Sequence, residues 1–342
     1  MQNQRSSGIE LLRIICISGI IFMHTFGSLN DNLYGFNREI SIFINALFNT
    51  GVSCFILVSG YFGIRFNIQK LIQLDLVIIF YSFIGTVLAG DLSAKSLILS
   101  CFPIISRKYW FLSCYFALCF LAPFLNKASE SIAKKSFSKL ILILLLILSI
   151  IPTFAFFELT MDGGKGIAQM IMLYLIGRYI KLYFPQFISQ KKILGVLIIC
   201  LSIIFLLDSA LSILKGVQMG TFCRDCSIFI IISAICLLLL FCEFNFCNTF
   251  INHIAGNVMP LYVFESFVRI YVLNRFVDLT YYIQSSALIL YVTLYVFAVI
   301  VICMLVNEIR RFLLSPLDAF LAKHISSLVN YCLTPLKRKE LL

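Results

Sequence analysis

Three ionisable side chains, Glu10, Arg13 and His24, interrupt one apolar stretch near the start of the chain, residues 8–27. An imidazole can take a proton near physiological pH, and a guanidinium offers a fixed fork of donors to carboxylates and phosphates. The stretch therefore carries a candidate base, His24, and a candidate anion anchor, Arg13. His24 is the first histidine of the chain, and the other two, His253 and His324, fall in a loop and a tail. Arg13 and His24 are eleven residues apart, which at about 100° per residue returns to within about 20° of the same helix face, roughly 16 Å further along the axis. Ionisable groups at membrane depth are costly, so a stripe of them faces other protein or a cavity.

The elements that must position this stripe are membrane helices. Of the 342 residues, 61% are hydrophobic and 13% charged, about half the charge of a soluble domain. This predicts an all-α polytopic membrane bundle of about ten spans in a single integral domain, 1–342. The spans are placed at 8–27, 41–62, 71–90, 109–126, 139–157, 167–183, 193–212, 227–243, 256–274 and 285–307. The first segment lacks a small-residue cleavage site and reads as a retained span. The net charge of +11 would suggest a nucleic-acid partner in a soluble protein. Here Lys and Arg, from Arg5 onward, gather in alternate loops by roughly two to one, which places both termini in the cytoplasm and leaves a short basic tail from about 308. No nucleic-acid partner is expected.

Other polar residues have plainer readings. Glu265 and Arg269, four apart in the ninth span, can neutralise each other on one helix face, which makes a structural pair the first reading. Arg65 and Lys70 suit anchoring at a cytoplasmic boundary, with Asp75 close enough in sequence to pair with Lys70. Ser59 and Gly60 suit close helix packing, the hydroxyl bonding back to its own helix. Trp110, in the Tyr109–Trp110–Phe111 cluster, suits either an interface belt or a platform for stacking a sugar. Cys223 and Cys226 have metal-ligand spacing but no second pair or nearby histidines, so no metal site is expected and a loop disulfide stays open. The Gly163–Gly164 loop lacks the strand and the Lys-Ser/Thr ending of a phosphate-binding loop.

Several of these residues stand in an order that resembles the acyltransferase 3 family. The resemblance rests on Arg13 and His24, on Gly51–Val52 with Phe55 and Ser59–Gly60–Tyr61, and on Tyr109–Trp110–Phe111–Leu112 with Tyr115, followed by Ala122–Pro123–Phe124–Leu125–Asn126. It implies a membrane enzyme of the bacterial cytoplasmic membrane that O-acylates envelope glycans or their lipid-linked precursors. It also implies an acyl-CoA donor, acetyl-CoA in the first instance, with no bound cofactor. His24 then becomes the general base, while Arg13 and Glu10, with Arg65 and Lys70, hold the donor or organise the site. Ser59, Gly60, Tyr61, Trp110, Glu265 and Arg269 become site-adjacent. Two departures stand out: the second arginine of a family Arg-x-x-Arg pair is missing after Arg65, and Glu265 stands where many relatives carry histidine. A different class, a transporter with an intramembrane relay through Glu10, Arg13, His24, Glu265 and Arg269, is the alternative, although no inverted repeat is evident.

Overall fold

The computed structural model describes residues 6–184 and 189–339, so Arg5 lies outside the described residues. Every regular element in it is helical. In chain order these are α1 (Ser7–Gly27), α2 (Gly35–Phe48), α3 (Thr50–Phe62), α4 (Ile68–Leu88), α5 (Ala94–Ser100), α6 (Trp110–Ser131), α7 (Lys134–Leu145), α8 (Ile151–Phe154), α9 (Ile167–Tyr183), α10 (Gln190–Lys215), α11 (Ile228–Cys242), α12 (Thr249–Ala255), α13 (Val258–Phe267) and α14 (Leu288–Lys339).

Seven stretches among the described residues are long and apolar enough to cross a membrane: Ser7–Gly27, Gly35–Phe62, Ile68–Leu88, Trp110–Ser131, Lys134–Phe154, Gln190–Lys215 and Leu288–Tyr331. The second of them joins α2 to α3 end to end. The other three expected spans also fall on helices, but shorter ones. α9 has 17 residues and α11 has 15, and α13 gives way to a π turn, Val268–Val272. The residues expected to form a tail from about 308 instead continue α14 without a break. Pro316 removes one ladder hydrogen bond there, and Arg310 reaches across it to Asp318 at 2.8 Å.

α1 runs through the middle of the bundle because its apolar residues serve two cores. Ile17, Ile21 and Phe26 pack with Ile78, Tyr81, Phe264 and Val296, drawn from α4, α13 and α14. Ile9, Leu12 and Cys16 pack with Ile56, Leu118 and Tyr174, drawn from α3, α6 and α9. The stripe that carries Arg13 is left between these cores.

Two glycines set how closely the helices around α1 approach. A Cβ on Gly60 would stand 2.2 Å from the Tyr174 carbonyl oxygen, so α3 and α9 touch backbone to backbone. A Cβ on Gly85 would stand 2.4 Å from the Phe267 ring, which seats α13 against α4. Phe264 adds a ring contact to Tyr81 at 5.1 Å between centroids. The first contact is the small-residue packing expected of Gly60. The second fixes the helix that carries Glu265.

Candidate active site

Two cavities lie in series along α1, which is a single unbroken helix from Ser7 to Gly27. One, of about 410 Å³, is lined by Glu10, Arg13, Ser59 and Tyr115. The other, of about 400 Å³, is lined by His24, Trp110, Glu265, Arg269, Lys165 and Asp225. Ile20, Val52 and Tyr262 belong to both walls. One turn of α1, one residue of α3 and one aromatic ring therefore divide the space between Arg13 and His24.

At the second cavity, His24 Nδ1 lies 2.7 Å from Glu265 Oε1. A carboxylate oxygen accepts, so Nδ1 donates, and in the neutral ring Nε2 is the nitrogen left with a lone pair. The other carboxylate oxygen, Oε2, accepts from Arg269 Nε at 3.3 Å. Glu265 is 3% exposed and Arg269 10% by side chain, whereas His24 is 44% exposed. The buried pair thus holds the half-exposed ring of a histidine that lines the cavity. Arg269 sits in the π turn that follows α13, and Tyr295 of α14 donates to its carbonyl at 2.8 Å. A π turn at such a place is a common device of functional sites.

The wall facing α13 is made by the ends of loops. Lys108 donates to Thr86 Oγ1 at 2.9 Å and to the Ser82 carbonyl at 3.3 Å, and burial holds its ammonium below the usual range, with Asp91 opposing in part. Trp110 opens α6 and meets Phe111 edge to face at 6.0 Å. Asp225, only 5% exposed, stands in the loop before α11. Burial pushes its carboxyl up to about 7, with Lys165 pulling the other way. Cys223 and Cys226 on either side of it are free thiols.

At the first cavity, Arg13 Nη1 donates to Glu10 Oε2 at 2.8 Å, and Ser59 Oγ bonds back to the Phe55 carbonyl at 2.9 Å. Gly63 and Ile64 line this cavity just before Arg65. Their loop is latched: Asn126 Nδ2 donates to the Ile64 carbonyl at 3.0 Å, and the Ile64 N–H donates to Tyr174 Oη at 2.9 Å. Arg65 and Lys70 are exposed and line neither cavity. Lys70 makes no ion pair with Asp75 among the described residues; instead its N–H is capped by Asn67 at 3.0 Å. Gly60 and Tyr61 also lie outside both cavities: Gly60 faces α9, and Tyr61 carries Lys181 over its ring at 4.7 Å.

The structure thus gathers His24, Trp110, Glu265 and Arg269 in one cavity and Glu10, Arg13 and Ser59 in the next. The pairing of Glu265 with His24 is not readable from the local sequence, where Arg269 satisfies the carboxylate at i+4. Tyr262 and Asp225 also line the His24 cavity, and no local motif marks either. Tyr262 is one apolar-looking residue in an apolar span, and the two cysteines flanking Asp225 hold the eye. The available signal was an acidic residue on the same loop side as Lys108 and Lys165.

The fold is that of a multi-pass helical membrane protein, and its second cavity holds a histidine backed by a buried carboxylate, an arrangement suited to proton transfer. The profile of the acyltransferase 3 family, an acyltransferase domain, matches residues 6–308, and the chain belongs to that family. The match ends within α14. No curated protein and no solved structure matches the chain.

Proposed function

We propose that this membrane acyltransferase moves an acetyl group from acetyl-CoA to a hydroxyl of a surface glycan or a lipid-linked glycan precursor. In this reading it sits in a bacterial cytoplasmic membrane, with ten spans and both termini inside. The observation that carries the proposal is the pair of cavities in series, meeting at Ile20, Val52 and Tyr262. The donor enters at the Arg13 end, where Arg65 and Lys70 attract its phosphates at the mouth. Its thioester arm passes the divide and presents the acyl carbon to the His24 cavity, where the acceptor waits.

His24 Nε2 takes the acceptor hydroxyl proton as the oxygen attacks the thioester carbonyl. Glu265 holds the ring in the required tautomer and stabilises the imidazolium that forms, the role a buried carboxylate plays behind other catalytic histidines. The oxyanion faces the cationic wall of Lys108 and Arg269. When the carbon–sulfur bond breaks, the imidazolium returns its proton to the leaving thiolate. An ester and free CoA result, and the histidine is neutral again.

The test compares base-labile esters on surface glycans by NMR in cells carrying the wild type, His24→Ala or a deletion, with protein levels matched. Equal loss of esters in both altered strains supports the reading. Unchanged esters, with altered movement of a small solute across the membrane, would favour a transporter.

A further inference from the structure

Asp225 is held in place far more firmly than a loop residue needs to be. Asp208 of α10 accepts from the N–H groups of Phe222 and Cys223 at 2.9 and 3.0 Å. Asn49, at the α2–α3 junction, donates to the Cys223 carbonyl. Arg224 pairs with Glu158 and donates to the Pro152 carbonyl at 2.9 Å. Gln169 of α9 donates to the Asp225 carbonyl at 3.1 Å, and the Cys226 N–H donates to the Gly163 carbonyl at 3.3 Å. Every one of these bonds goes to the backbone or to a neighbour, and none goes to the Asp225 carboxylate. Its Oδ1 is buried without a hydrogen-bond partner. Yet Asp225 belongs to the lining of the His24 cavity, together with Trp110 and Lys165.

A buried carboxyl oxygen without a partner is costly and needs an explanation, and a rigid support around it is the mark of a group kept ready for a ligand. The cavity already has a base and its orienting carboxylate in His24 and Glu265, so Asp225 is not needed for proton transfer. A carboxylate can accept hydrogen bonds from two neighbouring hydroxyls at once, through its two oxygens. Trp110 on the same wall gives a flat apolar face against which a ring can lie.

We propose that Asp225 is the docking group for the acceptor, receiving hydrogen bonds from hydroxyls next to the one that is acylated while the ring rests on Trp110. The proposal rests on the acyl-transfer reading above, because it takes the ligand of this cavity to be the acceptor. It makes Asp225 an acceptor-binding residue that selects polyhydroxylated rings over simple alcohols.

Trp110 is the single tryptophan of the chain, so its fluorescence reports occupancy of this cavity without any turnover. The purified protein in nanodiscs is titrated with the methyl glycosides of glucose, galactose, rhamnose and N-acetylglucosamine, with cyclohexanol as the single-hydroxyl control. The wild type is expected to respond saturably to at least one glycoside and not to cyclohexanol. Asp225→Asn is expected to raise the half-saturation point at least tenfold; Asp225→Glu, which keeps the charge but shifts it by one methylene, carries the same expectation should the Asn variant fail to fold. A parallel assay of CoA release separates the two ideas. If the variant transfers acyl groups and saturates at the wild-type concentration, only the docking role falls; if the wild type binds the glycoside but releases no CoA with it, the acyl-transfer reading falls and Asp225 is overturned as an acceptor-docking group while its part in glycoside binding is still read from the fluorescence. A wild type that responds to none of the glycosides overturns the docking role.

Discussion

His24 Nδ1 and Glu265 Oε1 stand 2.7 Å apart although 241 positions separate them in the chain. The contact exists because α1 and α13 both pack into the core that includes Ile21, Phe264 and Val296. It also divides the labour of the buried charges: Glu265 faces His24 with one oxygen and Arg269 with the other.

Removing the charge behind His24 should therefore be felt in turnover. Glu265→Gln is expected to lower kcat by about 10²- to 10⁴-fold, the upper end being the cost of replacing the carboxylate behind the histidine of a Ser-His-Asp triad by its amide. The measurement is initial CoA release with donor and acceptor saturating, with protein folding checked by thermal melt. His24→Ala should abolish turnover, and an unchanged kcat in Glu265→Gln would remove the carboxylate from the mechanism.

The divide between the cavities gives a prediction that touches neither end. Val52→Phe adds bulk to a wall that both cavities share. It should lower kcat while leaving the half-saturating acceptor concentration near the wild-type value. Equal kcat in the two proteins would mean that the acyl group does not travel past Val52.

Arg13 supplies a test of the donor side. Arg13→Gln is expected to raise the KM for acetyl-CoA by about tenfold or more, since hydrogen bonds to charged groups are worth about 1.5–3 kcal/mol. The acceptor KM should stay put. A change confined to the acceptor would reverse the assignment of the two cavities.

Gly60 should matter for folding and not for chemistry. Gly60→Leu forces side-chain atoms into the Tyr174 backbone, and such overpacking costs typically about 1–3 kcal/mol. A lowered thermal midpoint with normal kcat per folded molecule is expected; a normal midpoint with lost kcat would give Gly60 a role in the site.

Asp225 gives stability a pH dependence of known sign. Its folded carboxyl is raised to about 7 against an ordinary value near 3.8, so the folded chain holds the proton that the unfolded chain has lost. Stability from this group falls as pH rises between those two values and is level above about 7. Lys165, Glu158, Arg224 and Asp208 are the charged groups around its loop, and Asp225→Asn leaves them in place. Its melting temperature relative to the wild type should therefore be higher at pH 8 than at pH 5. A difference that does not change with pH would show that Asp225 titrates normally.

Much of the fold was legible because membrane helices declare themselves by length and composition. The stripe on α1 was readable for the same reason: an unbroken helix keeps Arg13 and His24 on one face, whatever packs around it. Span lengths were harder, because α9 and α11 are short helices packed inside the bundle, and the expected tail is a continuation of α14. The site was legible only where one helix carried it. Glu265 has an obvious partner at i+4, so its second partner in α1 could not be inferred, and Tyr262 differs from its neighbours only by where α13 points it. Asp225 depends on five separate chain segments meeting, which no local pattern records.

In the proposed reaction an acyl group crosses from the Arg13 cavity to an acceptor at His24. Proteoliposomes with sided protein, labelled acetyl-CoA on one face and glycan acceptor on the other, test it most directly. Labelled ester is expected only when the donor is on the Arg13 side and the acceptor on the His24 side, and none for His24→Ala. Ester formed only with both substrates on one face, or undiminished in His24→Ala, would contradict it.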